Sequence, residues 1–261
     1  MNQVYLHHDQ ASLDAAYDQR VWAPDAAAWI ARYATDTAAA RAAHPPEVHN
    51  SGMGVLDFYR ASHARGLQLH VHGGAWRSLT RADAGFAAPA MLAAGLDMVV
   101  PDFRLLPQFT LQEMVEDVMA ACLWARRHAP GVPFHLSGHS SGAHVAAVLA
   151  ADPRLAGSLA SVTLISGIYD LHPVLLSARG DYVKLTEEQA QALSPIHHVR
   201  RITAPVVLAH GDRESPEFIR QAQAFGAALG AVPIGLEHTN HFAAAYGLAA
   251  GPVYQAMLAL T

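Results

Sequence analysis

The chain is short of cysteine and lysine, and it has neither a long apolar run nor a block of basic charge. Cys122 is its sole cysteine, so no disulfide can form within it. Lys184 is its sole lysine beside 16 arginines, a bias read as genomic base composition rather than chemistry. The arginines form no stripe, and the net charge is −5. That excludes nucleic acid and anionic membrane as main partners. No uncharged apolar run reaches the roughly 18 residues a membrane helix needs. The opening "MNQVYLHHDQ" has no basic head followed by an apolar stretch, so no secretory signal is expected. The expectation is a soluble, cytoplasmic protein. No Ser/Gly/Pro-rich linker divides the 261 residues, which predicts one domain over 1–261.

What is present is apolar and alternating. Hydrophobic residues make up 52% of the chain, enough for a large core. An alanine-rich segment over 1–46 is predicted to be helical and to stop at Pro45-Pro46. Strand-like runs follow at 54–61, 67–74, 96–103, 133–137, 161–167, 204–211 and 232–238. Helix-like runs fall at 84–95, 111–129, 141–151, 215–230 and within 241–260. In 111–129, Met114, Val115, Val118, Met119 and Cys122 share one face at helical spacing. Continuous apolar strands alternating with helices predict an α/β fold with a mostly parallel sheet covered on both faces. Residues 172–203 interrupt the alternation and are expected to form a short helical cap.

The stretch "FHLSGHSSGAH" (134–144) places Gly138-His139-Ser140-Ser141-Gly142 between a strand and a helix. A turn this sharp strains the backbone of its middle residue. It exposes the Ser140 hydroxyl at the carboxyl edge of the sheet, and glycines two places away on each side avoid a clash. It also leaves the Ser141 N–H at a helix start, where negative charge is favoured. Ser140 is therefore the expected nucleophile. "HGGAW" (72–76) follows a strand and offers backbone N–H groups free of side chains, as an oxyanion hole requires.

A serine nucleophile needs a base and an acid. After such a serine, the acid and then the histidine are expected in chain order. Asp212 lies just past a strand end and is the expected acid, with Asp170, in a similar place, as the alternative. Among 17 histidines, "LEHTNHF" offers His241 as the expected base and His238 as the alternative. His70 and His72 share a strand face, as two metal ligands could. Without H-E-x-x-H or a cysteine cluster, no metal and no cofactor are expected. His139 and His144 are expected to be structural.

Taken together, "HGGAW", "GHSSGAH", "SGIYDL", "GDRESPEF" and "NHF" resemble the kynurenine formamidases (arylformamidases) of the α/β-hydrolase superfamily, over roughly residues 50–245. "YDQRVW" near the N-terminus is similar to that family less specifically. "DFRLLPQFTLQEMVEDV" resembles a segment of the related hormone-sensitive-lipase-like esterases, altered at Asp102 and Leu106. The resemblance implies the α/β-hydrolase fold, a triad of Ser140, Asp212 and His241, and an oxyanion hole from Gly74, Ala75 and Ser141. It implies cleavage of an N-formyl aryl amide, N-formylkynurenine to kynurenine and formate; a short-chain carboxylesterase on the same triad is the alternative. The expected partner is a small-molecule aryl amide or ester, with a homodimer allowed. Trp76, Tyr169 and Phe242 are expected to contact an aryl substrate, with Tyr246 near them in sequence.

Overall fold

A computed structural model describes residues 3–261. The chain opens with two helices, α1 (Gln10–Tyr17) and α2 (Ala26–Ala43). Strands β1 (Glu47–Asn50), β2 (Val55–Tyr59) and β3 (Gly66–Val71) follow, then α3 (Ala88–Ala93), β4 (Leu96–Pro101) and α4 (Leu111–His128). Next come β5 (Phe134–His139), α5 (Ser141–Ala150) and β6 (Ser161–Ile165). Three short helices, α6 (His172–Leu176), α7 (Gly180–Val183) and α8 (Glu187–Ala192), lead to β7 (Val206–Gly211). The chain finishes with α9 (Pro216–Leu229), β8 (Ile234–Leu236) and α10 (Gly251–Leu258). No helix among the described residues is long and apolar enough to cross a membrane.

The strands form one sheet in the order β1-β2-β4-β3-β5-β6-β7-β8. Pairing is antiparallel for β1 with β2 and for β2 with β4, and parallel from β4 through β8. Successive residues of a strand face opposite sides, and the core divides accordingly. Val99, Leu164 and Leu208 pack with α4, α5 and α9 on one face. Met98, Val100, Ile165, Val207 and Ala209 pack with α3 and α10 on the other. Strands β3 to β6 are buried along their whole length, and the burial includes the polar Gln68 and His70 of β3 and His135 and Ser137 of β5.

Helix limits follow local chemistry. Thr110 caps α4 and Glu113 reaches back to it, a reciprocal capping box. Ser215 caps α9, Pro216 occupies its first turn, and Gly230 closes it at φ +71°. The helix expected over 84–95 is a 3₁₀ turn, Gly85–Ala87, followed by the shorter α3, which carries a proline in its first turn. Strand β1 has no sequence signal, because three of its four residues are exposed. It is a polar edge strand, recruited by pairing with β2.

Candidate active site

Strand β5 turns into α5 at Ser140, whose φ is +57° and ψ −124°. That conformation costs a non-glycine residue about 1–3 kcal/mol. Close packing of the turn maintains it. A Cβ on Gly138 would lie 2.2 Å from the Gly142 carbonyl oxygen, and one on Gly142 would lie 2.1 Å from the Val71 carbonyl oxygen. Only glycine fits at either place. The Ser140 N–H donates to the Ile165 carbonyl at 2.9 Å, which ties the turn to β6.

The Ser140 hydroxyl and His241 Nε2 are 2.8 Å apart. On the other side of the ring, His241 Nδ1 meets Glu214 Oε2 at 3.0 Å. All three residues are buried. The structure thus brings Ser140 and His241 together. The exposed His238 lies outside the site, with Arg213 Nη2 against its Nδ1 at 3.2 Å.

The carboxylate expected beside His241 is corrected: it belongs to Glu214, not to Asp212 or Asp170. Asp212 is exposed, and its carboxylate accepts the Thr239 N–H at 3.1 Å. Asp170 accepts the His172 N–H at 3.0 Å. Between β7 and α9 the chain turns so that Glu214, immediately before the Ser215 cap, points inward. There it accepts the Gly211 N–H at 2.6 Å and the Ser166 hydroxyl at 2.5 Å. Burial pushes the Glu214 carboxyl up, but His241, Ser166 and the Gly211 N–H outweigh it and hold the group below the usual carboxylate range.

Gly74 and Ala75 lie on the wall of the cavity that Ser140 and His241 also line. Their N–H groups have no hydrogen-bond partner among the described residues. Ser141 is the first residue of α5, so its N–H has no intrahelical partner either. The cavity measures about 510 Å³, within the range of small-molecule sites. Its wall also draws Tyr17 and Asp18 from the N-terminal segment, Tyr33 from α2, and Arg179 and Tyr182 from the helices between β6 and β7.

A family model described as alpha/beta hydrolase fold matches residues 68–233. The chain belongs to that family. The chain is 31% identical over 179 residues to a kynurenine formamidase of Salmo salar, covering 62% of its own length and 59% of the relative's. It is 29% identical over 197 residues to the kynurenine formamidase of Danio rerio, covering 67% and 65%. The chain therefore spans less than two thirds of the length of these curated relatives. Among solved structures, a candidate thioesterase from Silicibacter sp. TM1040 superposes with a TM-score of 0.87 at 26% identity, over 95% of this chain and 98% of that one. A thermophilic carboxylesterase cloned from a metagenomic library superposes with a TM-score of 0.68 at 17% identity, over 90% and 95%, a likeness of fold alone.

Of the aromatic residues expected to contact substrate, only Phe242 lines this cavity. Trp76 is buried and donates its Nε1–H to His144 Nδ1 at 3.2 Å. Tyr169 is buried and stacked on Phe225, 4.1 Å between ring centroids at 5°. Both expectations are corrected, because packing takes up these rings. Tyr246 packs on Phe86 and bonds Asp36. Missed from sequence were Glu214, Tyr17, Arg179 and Tyr182. The only signals available for them were "GDRES" for Glu214 and "YDQRVW" for Tyr17.

The histidines near the elbow brace it. His139 Nε2 donates to the His241 carbonyl at 2.8 Å, which fixes the backbone that carries the ring facing Ser140. His144 Nε2 donates to the Leu193 carbonyl at 2.8 Å and so ties α5 to the segment after α8. His72 stacks on Phe103 at 4.2 Å, and His70 Nδ1 lies 3.0 Å from the Ser137 hydroxyl. Burial lowers His70 and His139 to about 3 and His144 to about 4, so the folded protein holds all three neutral.

These shifts make the fold acid-sensitive. The unfolded chain protonates the three histidines near pH 6.5, whereas the folded chain resists until about pH 3–4. Above pH 6.5 they carry no penalty; below it, each favours unfolding increasingly as pH falls toward the folded value. By pH 5 the loss is about 2 kcal/mol per histidine, which together rivals a typical total stability. The urea midpoint is therefore expected to drop steeply between pH 7 and pH 5. A midpoint unchanged over that interval would contradict the neutral, buried state of these rings.

Proposed function

We propose that this hydrolase is a serine hydrolase that removes the formyl group from N-formyl arylamines, with N-formylkynurenine as the substrate and kynurenine and formate as the products. The observation that carries the serine chemistry is the chain of contacts from Ser140 through His241 to Glu214, at 2.8 and 3.0 Å. His241 Nε2 takes the Ser140 proton as Oγ attacks the formyl carbon. His241 donates its Nδ1–H to Glu214, which holds the productive tautomer and stabilises the imidazolium. The tetrahedral oxyanion settles on the N–H groups of Gly74, Ala75 and Ser141. His241 then protonates the leaving arylamine and a formyl-enzyme remains. Water activated by His241 releases formate and restores Ser140.

The formamide as substrate rests on the likeness to the two fish kynurenine formamidases. The aromatic side chains Tyr17, Tyr33, Tyr182 and Phe242 on the cavity wall suit an aryl leaving group. A second reading, a short-chain carboxylesterase, is favoured by a 30% identity over 193 residues to the esterase LipC of Mycobacterium tuberculosis, covering 63% of this chain and 48% of that one.

The deciding measurement is kcat/KM for N-formylkynurenine against p-nitrophenyl acetate, butyrate and octanoate, since specificity is a ratio of those values. The formamide is expected to exceed every ester. The esters are expected to fall in order of chain length, because a formyl group needs the smallest acyl pocket. An enzyme that ignores the formamide and prefers butyrate or longer is the carboxylesterase.

A further inference from the structure

Arg179 precedes α7 and lines the cavity shared by Ser140 and His241. Its Nη2 donates to the Tyr17 carbonyl. Its Nη1 is buried and has no hydrogen-bond partner among the described residues. The guanidinium lies among three rings, 5.8 Å from Tyr17, 5.8 Å from Trp76 and 5.9 Å from Phe218. Among the described residues, no carboxylate lies within ion-pair distance of it. The two carboxylates on the same wall are engaged elsewhere. Asp18 holds Arg20 through both of its oxygens at 2.8 Å, and Asp14 accepts the Ala178 N–H at 2.6 Å.

An arginine cannot shed its proton to escape burial, and a buried cation without a counter-charge is costly. Aromatic rings offset part of that cost but accept none of its hydrogen bonds. An arginine on the wall of a substrate cavity, with one arm of its planar fork unpartnered, carries the chemistry that recognises a carboxylate. We infer that Arg179 binds a carboxylate on the leaving-group side of the substrate, so that the hydrolase selects aryl substrates bearing an amino-acid head over neutral ones. The acyl side cannot carry that charge, since a formyl group has no room for it; to that extent the inference rests on the proposed deformylation.

The test is calorimetric titration with kynurenine and with 2-aminoacetophenone, which keeps the aryl ketone and lacks the amino-acid head. Wild-type protein should bind kynurenine about 10- to 100-fold more tightly, the range of a charge-assisted hydrogen bond. Arg179→Met and Arg179→Gln should bring the two affinities to within about threefold of each other. Arg179→Lys should retain part of the preference, since it keeps the charge and loses the fork. A wild-type protein that binds both ligands equally overturns the inference without recourse to any variant. Variants that weaken both ligands by the same factor overturn it as well, since that is the signature of a structural role. Because binding is read without turnover, a protein that prefers kynurenine but fails to deformylate N-formylkynurenine refutes the proposed substrate and leaves the carboxylate site standing.

Discussion

Replacing Ser140 by alanine should lower kcat by roughly 10⁶-fold, the order found when a serine hydrolase loses its nucleophile. Ser140 Oγ is the only atom of the elbow joined to His241 Nε2, at 2.8 Å, and it occupies the cavity wall beside Gly74 and Ala75. Removing one oxygen leaves the turn intact, because the backbone strain at φ +57° is carried by the packing around Gly138 and Gly142 rather than by the hydroxyl. The variant should therefore fold normally. It should keep only the residual acceleration that substrate binding and the backbone N–H groups supply. A fluorophosphonate should label the native protein at Ser140 and leave the variant unlabelled. Labelling at the buried Ser141 or Ser137, or a variant that retains a tenth or more of the activity, would remove Ser140 from the mechanism.

Glu214→Gln should cost on the order of 10⁴ in kcat, the loss seen when the acid of such a triad becomes an amide. Glutamine matches the size of Glu214 and keeps one oxygen for the Gly211 N–H and the Ser166 hydroxyl. It cannot stabilise an imidazolium, and its amide NH₂ favours the tautomer with the proton on Nε2, where Ser140 needs an acceptor. KM should move little, since Glu214 lies behind His241 and does not line the substrate cavity. The contrasting variant is Asp212→Asn. That carboxylate is exposed and serves the Thr239 N–H, so its loss should change kcat by less than about threefold, as surface substitutions away from a site generally do. Kinetics on the two purified variants decide the matter. A crippled Asp212→Asn beside a nearly active Glu214→Gln would return the acid role to the residue that chain order alone suggests.

The features legible in the amino-acid sequence are those written in short stretches. The apolar run Met98–Pro101 within β4 announces a strand buried on both faces, and the alternation of strands with helices implies a parallel sheet. The elbow is legible because its needs are local. Gly138 and Gly142 must be glycine, and a strand must precede and a helix follow. His241 is legible from its place in the closing segment. The polar edge strand β1 escapes, because an exposed strand of four residues has no apolar period to show.

The residues that only the tertiary structure identifies depend on long-range geometry. Asp212 and Glu214 stand two residues apart in one loop, and both lie beyond the end of β7. Which carboxylate turns inward depends on the Ser215 cap of α9, on the Gly211 N–H and on Ser166 from the neighbouring strand's end, none of which leaves a mark at the two positions themselves. Trp76 and Tyr169 flank the right motifs in sequence, yet His144 and Phe225 engage them in the core. The cavity that Ser140 lines also draws on Tyr17, Tyr33 and Arg179, all distant from Ser140 along the chain. Local propensity and pattern determine elements and turns, whereas a cavity is enclosed by packing between elements, and packing alone decides which side chains reach it.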